Sequence, residues 1–172
     1  QGIGLSETAF QSSLHYAKER VQGKLPESEN IADPIIVHPE IRKNLMFMKS
    51  INDGIRGLML KAGHAFDLID TNQNKELSES SENLIALLTP ILKSFATDKS
   101  MEITNQALQI YGGHGYITDH GMEQLVRDAR ITPIYEGTNG IQALDLIGRK
   151  FNIHDGLIIN QYLESVNLFL NN

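Results

Sequence analysis

The longest periodic stretch of the chain decides its fold class, and it reads PEIRKNLMFMKSINDGIRGLMLKAGHAFDLID over residues 39–70. Pro39 suits the first turn of a helix, where its missing N–H would have no partner. Apolar residues then recur every three or four positions, which is the period of one helix face. They are Ile41, Leu45, Met48, Ile51, Ile55, Leu58, Ala62, Ala65 and Ile69. This stretch therefore predicts one helix of about thirty residues.

The sequence on both sides of this stretch repeats the helical period. A polar link over residues 70–81 separates the long helix from the next one, in which Thr89-Pro90 can either kink the chain or restart the helix. Residues 24–38 are predicted to form a connecting loop. The predicted helices cover residues 5–22, 39–69, 84–111, 122–130, 141–151 and 157–170. No segment alternates convincingly between apolar and polar residues, so the chain is predicted to be all-α. Three long helices with short links are typical of an antiparallel bundle.

The composition limits the kind of protein that the chain can form. With 172 residues, of which 41% are hydrophobic and 21% charged, it fits one soluble domain with a sizeable core. The net charge of −6 disfavours unspecific binding to nucleic acid, which needs a basic face. The apolar runs are too short for a membrane span. The sequence has no cysteine, which removes disulfides and thiolate metal sites and fits a reducing compartment.

Two patterns are similar to metal sites, and neither has the full set of ligands. Residues 70–74 place oxygen atoms at alternate positions as a calcium loop does. However, Lys75 and Ser81 stand where the calcium pattern needs glycine and glutamate. His114 and His120 have no HExxH motif and no cysteine partner. The sequence therefore predicts a solvated loop at residues 70–74 and no metal site.

A glycine-rich stretch, GGHGY, follows the third long helix at residues 112–116. Because it follows a helix rather than a strand, it does not match the dinucleotide-binding turn of a Rossmann fold. Two interpretations stay open. Gly112 and Gly113 either simply end the helix or let a ligand approach the backbone closely.

The stretch PIYEGTN at residues 133–139 places one carboxylate, Glu136, in an apolar turn beside a glycine. Apolar surroundings disfavour the charged form of a carboxylate and make it a better proton acceptor, so Glu136 is a candidate general base. Gly137 is expected to leave space for a substrate, and Thr138 or Asn139 can cap the next helix. The alternative is that Glu136 only stabilises a helix N-terminus through its charge.

Three motifs taken together point to one family. They are QIYGGHGY at 109–116, RDARI at 127–131 and IYEGTNGIQ at 134–142. In order and spacing they resemble the C-terminal signature of acyl-CoA dehydrogenases. The stretch YAKERVQGK at 16–24 is similar to the end of the first C-terminal helix of that family. The loop at 31–38 and DLIGRK at 145–150 are similar to its larger branch, whose members act on less usual acyl groups such as methylthio-propionyl-CoA.

By this resemblance residues 1–152 form the family's C-terminal helical bundle, and residues 153–172 begin a C-terminal extension. The chain starts with QGIGL, which has no initiator methionine and no signal-peptide core, so we expect it to begin inside a longer protein. The family also has an N-terminal helical domain and a middle β-domain that help to hold FAD and acyl-CoA. We therefore expect this chain by itself to bind FAD weakly or not at all and to be inactive, which a flavin absorbance spectrum can test.

The resemblance implies a flavin-dependent enzyme that dehydrogenates an acyl-CoA thioester to the trans-2-enoyl-CoA. Glu136 would remove the α-proton while the β-hydrogen leaves as hydride to FAD. The backbone N–H of Glu136 would donate to the thioester oxygen and stabilise the developing enolate. FAD supplies the hydride chemistry, and the protein supplies placement.

The resemblance also assigns residues to the ligands. The implied FAD contacts are Arg20, Gln109, Gly112, Gly113, Thr138 and Asn139. Tyr135 and Gly137 would line the acyl pocket. The first four FAD contacts match residues that reach the flavin of a neighbouring subunit, so a homo-oligomer is implied. An electron-transfer flavoprotein is the implied electron acceptor, and the implied location is the cytoplasm of a bacterium or the mitochondrial matrix of a eukaryote.

A second class of function is a non-catalytic helical interaction module derived from the same family. The intact Tyr135-Glu136-Gly137-Thr138 favours the enzyme, because a binding module needs no carboxylate at that point. The identity and length of the acyl chain do not follow from these residues, since much of the pocket would come from the other domains.

Overall fold

A computed structural model describes residues 1–71 and 74–171 of the protein. The α-helices in these residues are α1 Gly2–Glu19, α2 Pro39–Thr71, α3 Lys75–Tyr111, α4 Gly113–Tyr116, α5 Met122–Ile131, α6 Asn139–Leu144 and α7 Leu157–Leu170. Tighter 3-10 turns cover Ile35–Val37, Thr118–His120 and Lys150–Gly156, and a π-helical turn covers Asp145–Arg149. This part of the chain contains no strand, only an isolated bridge between Val21 and Pro34. The predicted all-α fold class is confirmed.

The helix predicted from the longest apolar period is α2, which begins at Pro39 as expected. The apolar period corresponds to its buried face, since Leu45, Met48 and Ile55 are 6%, 0% and 1% exposed. The period therefore identified both the helix and the side that packs.

The first helix lies three residues earlier than predicted, from Gly2 to Glu19 instead of 5–22. It ends because Arg20 has an extended backbone, with φ −68° and ψ 119°. The Arg20 carbonyl accepts a hydrogen bond from the N–H of Ile35 at 2.8 Å. Pairing with the following loop therefore ends the helix, and apolar spacing alone could not show this.

The start of α3 corrects the sequence prediction, because the polar link expected over residues 70–81 is helical from Lys75 onward. Asn74 caps this helix. Its Oδ1 accepts from the N–H of Glu76 at 3.0 Å and from the N–H of Leu77 at 3.4 Å. Such a cap satisfies N–H groups that have no partner inside the helix, so a polar segment without an apolar face became its first turns.

Pro90 lies inside α3, and the helix runs through it. Of the two possibilities that the sequence left open, a restart is therefore wrong. The Oγ1 of Thr89 donates to the carbonyl of Ile85 at 2.8 Å instead of capping a new helix.

The chain divides into two compact units. Unit 1 contains Gln1–Ile55 and Ala96–Pro133, and unit 2 contains Arg56–Phe95 and Ile134–Asn172. The core cluster of unit 1 consists of Ala9, Phe10, Ala17, Ile35, Leu45, Met48, Ile103, Ala107, Ile110 and Met122. The buried apolar residues of unit 2 include Ala62, Ala65, Leu87, Leu88 and Ile158. The predicted division into residues 1–152 and 153–172 stays a prediction. None of the described helices is both long enough and apolar enough to cross a membrane.

Candidate active site

Glu136 lies in a tight turn of unit 2, directly before α6. We call residues 135–138 the Glu136 turn. Two successive residues have a left-handed backbone, with φ +53° at Glu136 and +79° at Gly137. Glycine adopts this conformation freely, but for a residue with a Cβ atom it is less stable by about 1 kcal/mol. A carboxylate residue in this conformation indicates that surrounding contacts impose the shape of the turn.

Two side chains hold the carbonyl oxygens of the left-handed pair. Nε2 of Gln142 donates to the carbonyl of Glu136 at 3.1 Å. Nζ of Lys93, on α3, donates to the carbonyl of Gly137 at 2.7 Å. The second bond is charge-assisted, and bonds of that kind are stronger than those between neutral groups. Both peptide groups that define the turn are therefore fixed from outside it.

Asn139 and Thr138 connect the same turn to its surroundings. Nζ of Lys93 also donates to Oδ1 of Asn139 at 2.8 Å, and Nδ2 of Asn139 donates to the carbonyl of Ser94 at 3.3 Å. Thr138 is the N-cap of α6, and its Oγ1 accepts from the N–H of Ile141 at 3.4 Å. The capping role expected for Thr138 or Asn139 is taken by Thr138. We call Lys93, Asn139 and Gln142 the turn clamp.

The turn borders a groove of about 680 Å³ within unit 2, which we call the Glu136 groove. Its apolar lining includes Phe66, Ile69, Ile85, Ala86, Pro90 and Ile141, and its polar lining includes Glu82, Glu136, Gln142, Asp145, Arg149 and Lys150. A groove of this size is in the range of small-molecule sites. It can hold an apolar chain with a carboxylate at its wall.

One ion pair in this lining involves Asp145 and Arg149. Nε of Arg149 donates to Oδ1 of Asp145 at 2.5 Å. This hydrogen bond lowers the pKa of Asp145 and raises that of Arg149. The two charges offset each other, so this pair adds little net charge to the groove.

The structure differs from the sequence interpretation in the surroundings of Glu136 and Gly137. Glu136 is exposed in this chain, and its apolar neighbour Ile134 is itself 45% exposed. The expected dehydration is therefore not supplied by this chain, because apolar neighbours in sequence do not bury a turn at the surface. A Cβ on Gly137 would lie 3.1 Å from Nε2 of Gln142, so the clamp occupies part of the space expected for a substrate.

The two residues expected to line an acyl pocket differ in whether they border the Glu136 groove. Gly137 lines the Glu136 groove. Tyr135 is half-buried beside Glu136 and does not belong to the groove lining in the described part of the chain.

Three of the expected FAD contacts come together in a second cavity, which lies within unit 1. Arg20, Gln109 and Gly112 line this space of about 440 Å³, and Gln22 and His38 lie in the same lining. We call it the Arg20 cavity. It offers a guanidinium group, side-chain amides and an open stretch of backbone. Guanidinium groups and N–H donors of this kind bind phosphate oxygens, and the carboxylate of Glu40 lies in the same lining.

The glycines after α3 have different roles in the structure. Gly112 has a left-handed backbone with φ +60°. Apart from the adjacent residues and the backbone of the same helix, no atom of the described chain lies within 4 Å of the position of a Cβ at Gly112 or Gly113. The backbone can therefore be approached closely at both. A Cβ on Gly115 would lie 2.7 Å from the carbonyl oxygen of Leu108. Gly115 is thus the glycine of this stretch that packing requires, and the sequence interpretation did not single it out.

The loop beside the Arg20 cavity is held together by Asp33. Its carboxylate accepts from Ser28 Oγ at 2.6 Å, Leu25 N at 2.9 Å and Asn30 Nδ2 at 2.7 Å. These hydrogen bonds, led by that from Ser28, lower the pKa of Asp33 from 3.8 to about 2. The charged form of Asp33 therefore stabilises the loop that carries His38.

The histidines considered as metal ligands belong to an aromatic cluster in unit 1. The rings of His114 and His120 stack at 5.2 Å, those of Tyr16 and Tyr111 stack at 4.0 Å, and the Tyr16 hydroxyl lies 2.9 Å from Nδ1 of His114. In the described ranges no group of three potential ligands could hold a metal ion. Residues 72 and 73 of the candidate calcium loop lie outside the described residues.

Sequence reasoning missed two residues of the turn clamp. Gln142 ends the motif that contains Glu136, so its presence in that motif was an available signal. Lys93 lies 44 residues before Gly137 and in another helix. Nothing in the local pattern distinguishes it from a solvated helix lysine.

Comparison with known proteins identifies the domain and the family. The model of the acyl-CoA dehydrogenase C-terminal domain matches residues 1–151. A relative from Ruegeria pomeroyi, 3-methylmercaptopropionyl-CoA dehydrogenase, is 37% identical over 167 residues, which are 96% of this chain and 28% of that protein. The matched domain is thus the helical C-terminal domain of a flavoenzyme family. The chain belongs to the acyl-CoA dehydrogenase family, which confirms the resemblance seen in its motifs.

Two solved structures are similar to this chain, one in sequence and fold and the other in fold. Butyryl-CoA dehydrogenase from Megasphaera elsdenii has a TM-score of 0.66 at 30% identity, over 86% of this chain and 33% of that one. Caenorhabditis elegans ACDH-11 in complex with C11-CoA has a TM-score of 0.81 at 24% identity, over 95% of this chain and 26% of that one. At that identity the second match concerns the fold alone.

Proposed function

We propose that the full-length protein is a flavin-dependent dehydrogenase that converts an acyl-CoA thioester to the trans-2-enoyl-CoA. The chain spans 28% of the Ruegeria relative, so the activity concerns the whole protein, to which this domain contributes the base. One observation supports this most strongly. Glu136 borders a partly apolar groove in a left-handed conformation that two side chains impose. Costly backbone conformations of this kind cluster at functional sites.

The proposed role of Glu136 uses both its side chain and its backbone. The carboxylate accepts the α-proton of the thioester. The N–H of the same residue donates to the thioester carbonyl oxygen and stabilises the negative charge that develops there. Because both groups belong to one residue, the conformation of the turn sets the position of the base relative to the oxyanion donor.

FAD, when bound, supplies the acceptor for the β-hydrogen, which leaves as hydride. In this proposal the Arg20 cavity contributes Arg20, Gln109 and Gly112 to the pyrophosphate of FAD, with Gly113 beside them. Thr138 contacts the flavin near the base. Asn139 uses both ends of its amide within the protein, so its contribution is to hold Thr138 in place.

The substrate class follows from the apolar lining of the Glu136 groove, which suits an acyl chain. The name of the Ruegeria relative makes 3-methylmercaptopropionyl-CoA one candidate substrate, and butyryl-CoA is a second from the Megasphaera structure. Homo-oligomerisation, electron transfer to an electron-transfer flavoprotein, and a location in the bacterial cytoplasm or mitochondrial matrix belong to the same proposal.

Glu136→Gln in the full-length protein tests the proposed base. Glutamine keeps the size of the side chain but does not accept the proton. We expect flavin reduction by either acyl-CoA, followed by rapid mixing, to slow by about 10²–10⁴-fold, the usual contribution of a positioned base. Bound flavin, measured by its absorbance, should be unchanged.

The matched control is Glu164→Gln, which removes an exposed carboxylate of α7 in the same unit. This control should reduce its flavin at the wild-type rate. Normal flavin reduction in Glu136→Gln would reject the proposed function of this residue.

A further inference from the structure

A lysine outside the Glu136 turn makes two short hydrogen bonds, one to the turn and one to the residue that follows it. Nζ of Lys93 reaches both the carbonyl of Gly137, at 2.7 Å, and Oδ1 of Asn139, at 2.8 Å. Lys93 is half-buried on α3, and a partly desolvated ammonium interacts more strongly with a carbonyl dipole than one in water. Its charge is thus directed at the two oxygens that flank Thr138.

The orientation of the Asn139 amide shows that its contact with Lys93 is specific. Its Oδ1 accepts from the cation, and its Nδ2 donates to the carbonyl of Ser94. Turning the amide over would place NH₂ against the ammonium and an oxygen against a carbonyl, and both contacts would be repulsive. Lys93 therefore fixes this amide in one orientation, and Asn139 in turn ties the start of α6 to the backbone of α3.

The effect on Glu136 follows from the backbone. Lys93 holds the carbonyl of Gly137, which belongs to the peptide that follows the left-handed pair. Gln142 holds the carbonyl of Glu136, which belongs to the peptide between the two residues of the pair. With both carbonyls fixed, rotation about the backbone of Gly137 is restricted. Glycine has more backbone freedom than any other residue, so a turn that contains it needs such contacts to keep one shape.

We propose that Lys93 is a positioning residue, whose ammonium holds the Glu136 turn in the conformation that places the Glu136 carboxylate for proton removal. The inference rests on the proposed function of Glu136 and adds a residue to it. Lys93 touches neither substrate nor cofactor in this proposal, and no proton moves to or from it. Its loss should lower the rate of proton removal without removing the base.

The test is Lys93→Met in the full-length flavoprotein, which keeps the length of the side chain and removes its donors. We expect unchanged flavin content and a KM for butyryl-CoA and 3-methylmercaptopropionyl-CoA within about 3-fold of wild type. The rate of flavin reduction should fall by about 100-fold, the scale expected for a misplacement near 1 Å. The deuterium effect on kcat with α-deuterated substrate should rise, because proton removal becomes slower than the other steps.

A readout independent of activity is backbone amide exchange. Residues 134–144 should exchange faster in Lys93→Met, since the turn loses a contact at Gly137 and at Asn139. The matched control is Lys99→Met, which removes a lysine of the same helix whose ammonium pairs with Glu102 at 2.7 Å. It should leave the exchange of residues 134–144 and the rate of flavin reduction unchanged.

Several results would overturn the proposal. If Glu136→Gln is inactive and Lys93→Met reduces its flavin at the wild-type rate, the positioning role fails and the proposed base stands. If both variants are fully active, the proposed function fails as well. Should Lys93→Met lose its flavin, Lys93→Gln takes its place, and a wild-type rate in that variant rejects the role of Lys93. Loss of flavin in both would assign Lys93 to structural support and overturn the proposal.

Discussion

Substitution by alanine should destabilise the Glu136 turn at Gly137 and stabilise the start of α6 at Gly140. Gly137 has φ +79°, and a Cβ there would lie 3.1 Å from Nε2 of Gln142. Gly140 lies in the first turn of α6. Apart from its chain neighbours and the backbone of its own helix, the nearest atom to its Cβ position is Thr138 Oγ1 at 3.8 Å, an ordinary contact. Of these two glycines, only Gly137 has a left-handed backbone and a crowded Cβ position.

The expected magnitudes follow from these contacts. An alanine at position 137 would be about 1 kcal/mol less stable than glycine in the left-handed conformation. Displacing the Gln142 amide from the carbonyl of Glu136 loses about 1 kcal/mol more, the usual net contribution of one hydrogen bond. The turn of Gly137→Ala should thus be destabilised by about 2 kcal/mol, or roughly 30-fold in its local opening equilibrium. Gly140→Ala should stabilise the start of α6 by up to about 1 kcal/mol, the difference in helix propensity.

Amide hydrogen exchange of the full-length protein measures both effects in the same peptide. The N–H groups of Ile141 and Gln142 bond to Oγ1 and the carbonyl of Thr138, at 3.4 and 3.0 Å, and report on the opening of this segment. Their exchange should accelerate in Gly137→Ala and slow in Gly140→Ala. If both variants change exchange in the same direction, or if Gly137→Ala changes it less than about 2-fold against the 30-fold estimate, the assignment of strain to residue 137 is refuted.

Two further predictions concern unit 1. Gly115→Ala forces a Cβ to within 2.7 Å of the Leu108 carbonyl oxygen, so it should destabilise the protein by about 1–3 kcal/mol. Its thermal midpoint should drop while that of Gly113→Ala, which meets open space, should stay near wild type. Asp33 has a folded pKa of about 2, below its ordinary 3.8. Its contribution to stability is therefore present above about pH 4 and lost as the pH falls towards 2. Asp33→Asn should unfold at a lower temperature at pH 7, and its deficit relative to wild type should shrink between pH 4 and pH 2 in thermal scans.

Most of the fold could be predicted because the long helices carry their own signal. Pro39 identified the first residue of α2, its apolar period identified its buried face, and Leu157–Leu170 was placed correctly. The errors occur where a contact outside the period decides. Asn74 starts α3 by capping it, and Ile35 ends α1 by pairing with Arg20. Such bonds depend on single polar atoms that leave no periodic trace in the sequence.

The candidate site was predictable only in the part that lies in one motif. The stretch from Tyr135 to Gln142 contains the carboxylate, its glycine and one clamp residue. The sequence could not show that Glu136 is exposed in this chain, because burial depends on elements distant in sequence. It also could not show Lys93, whose contact with the turn exists only once α3 packs against it.

The energies of the contacts at the Glu136 turn give the physical basis for the positioning role proposed for Lys93. The left-handed conformation of Glu136 destabilises the turn by about 1 kcal/mol. The neutral hydrogen bond from Gln142 stabilises it by about the same amount. Those two terms leave the turn close to balance between its observed shape and others. The charge-assisted bond from Lys93, of a kind that contributes about 1.5–3 kcal/mol, shifts the balance clearly towards the observed shape. The strained turn that carries Glu136 is therefore stabilised mainly by a contact from a neighbouring helix, and in this chain α3 supplies it.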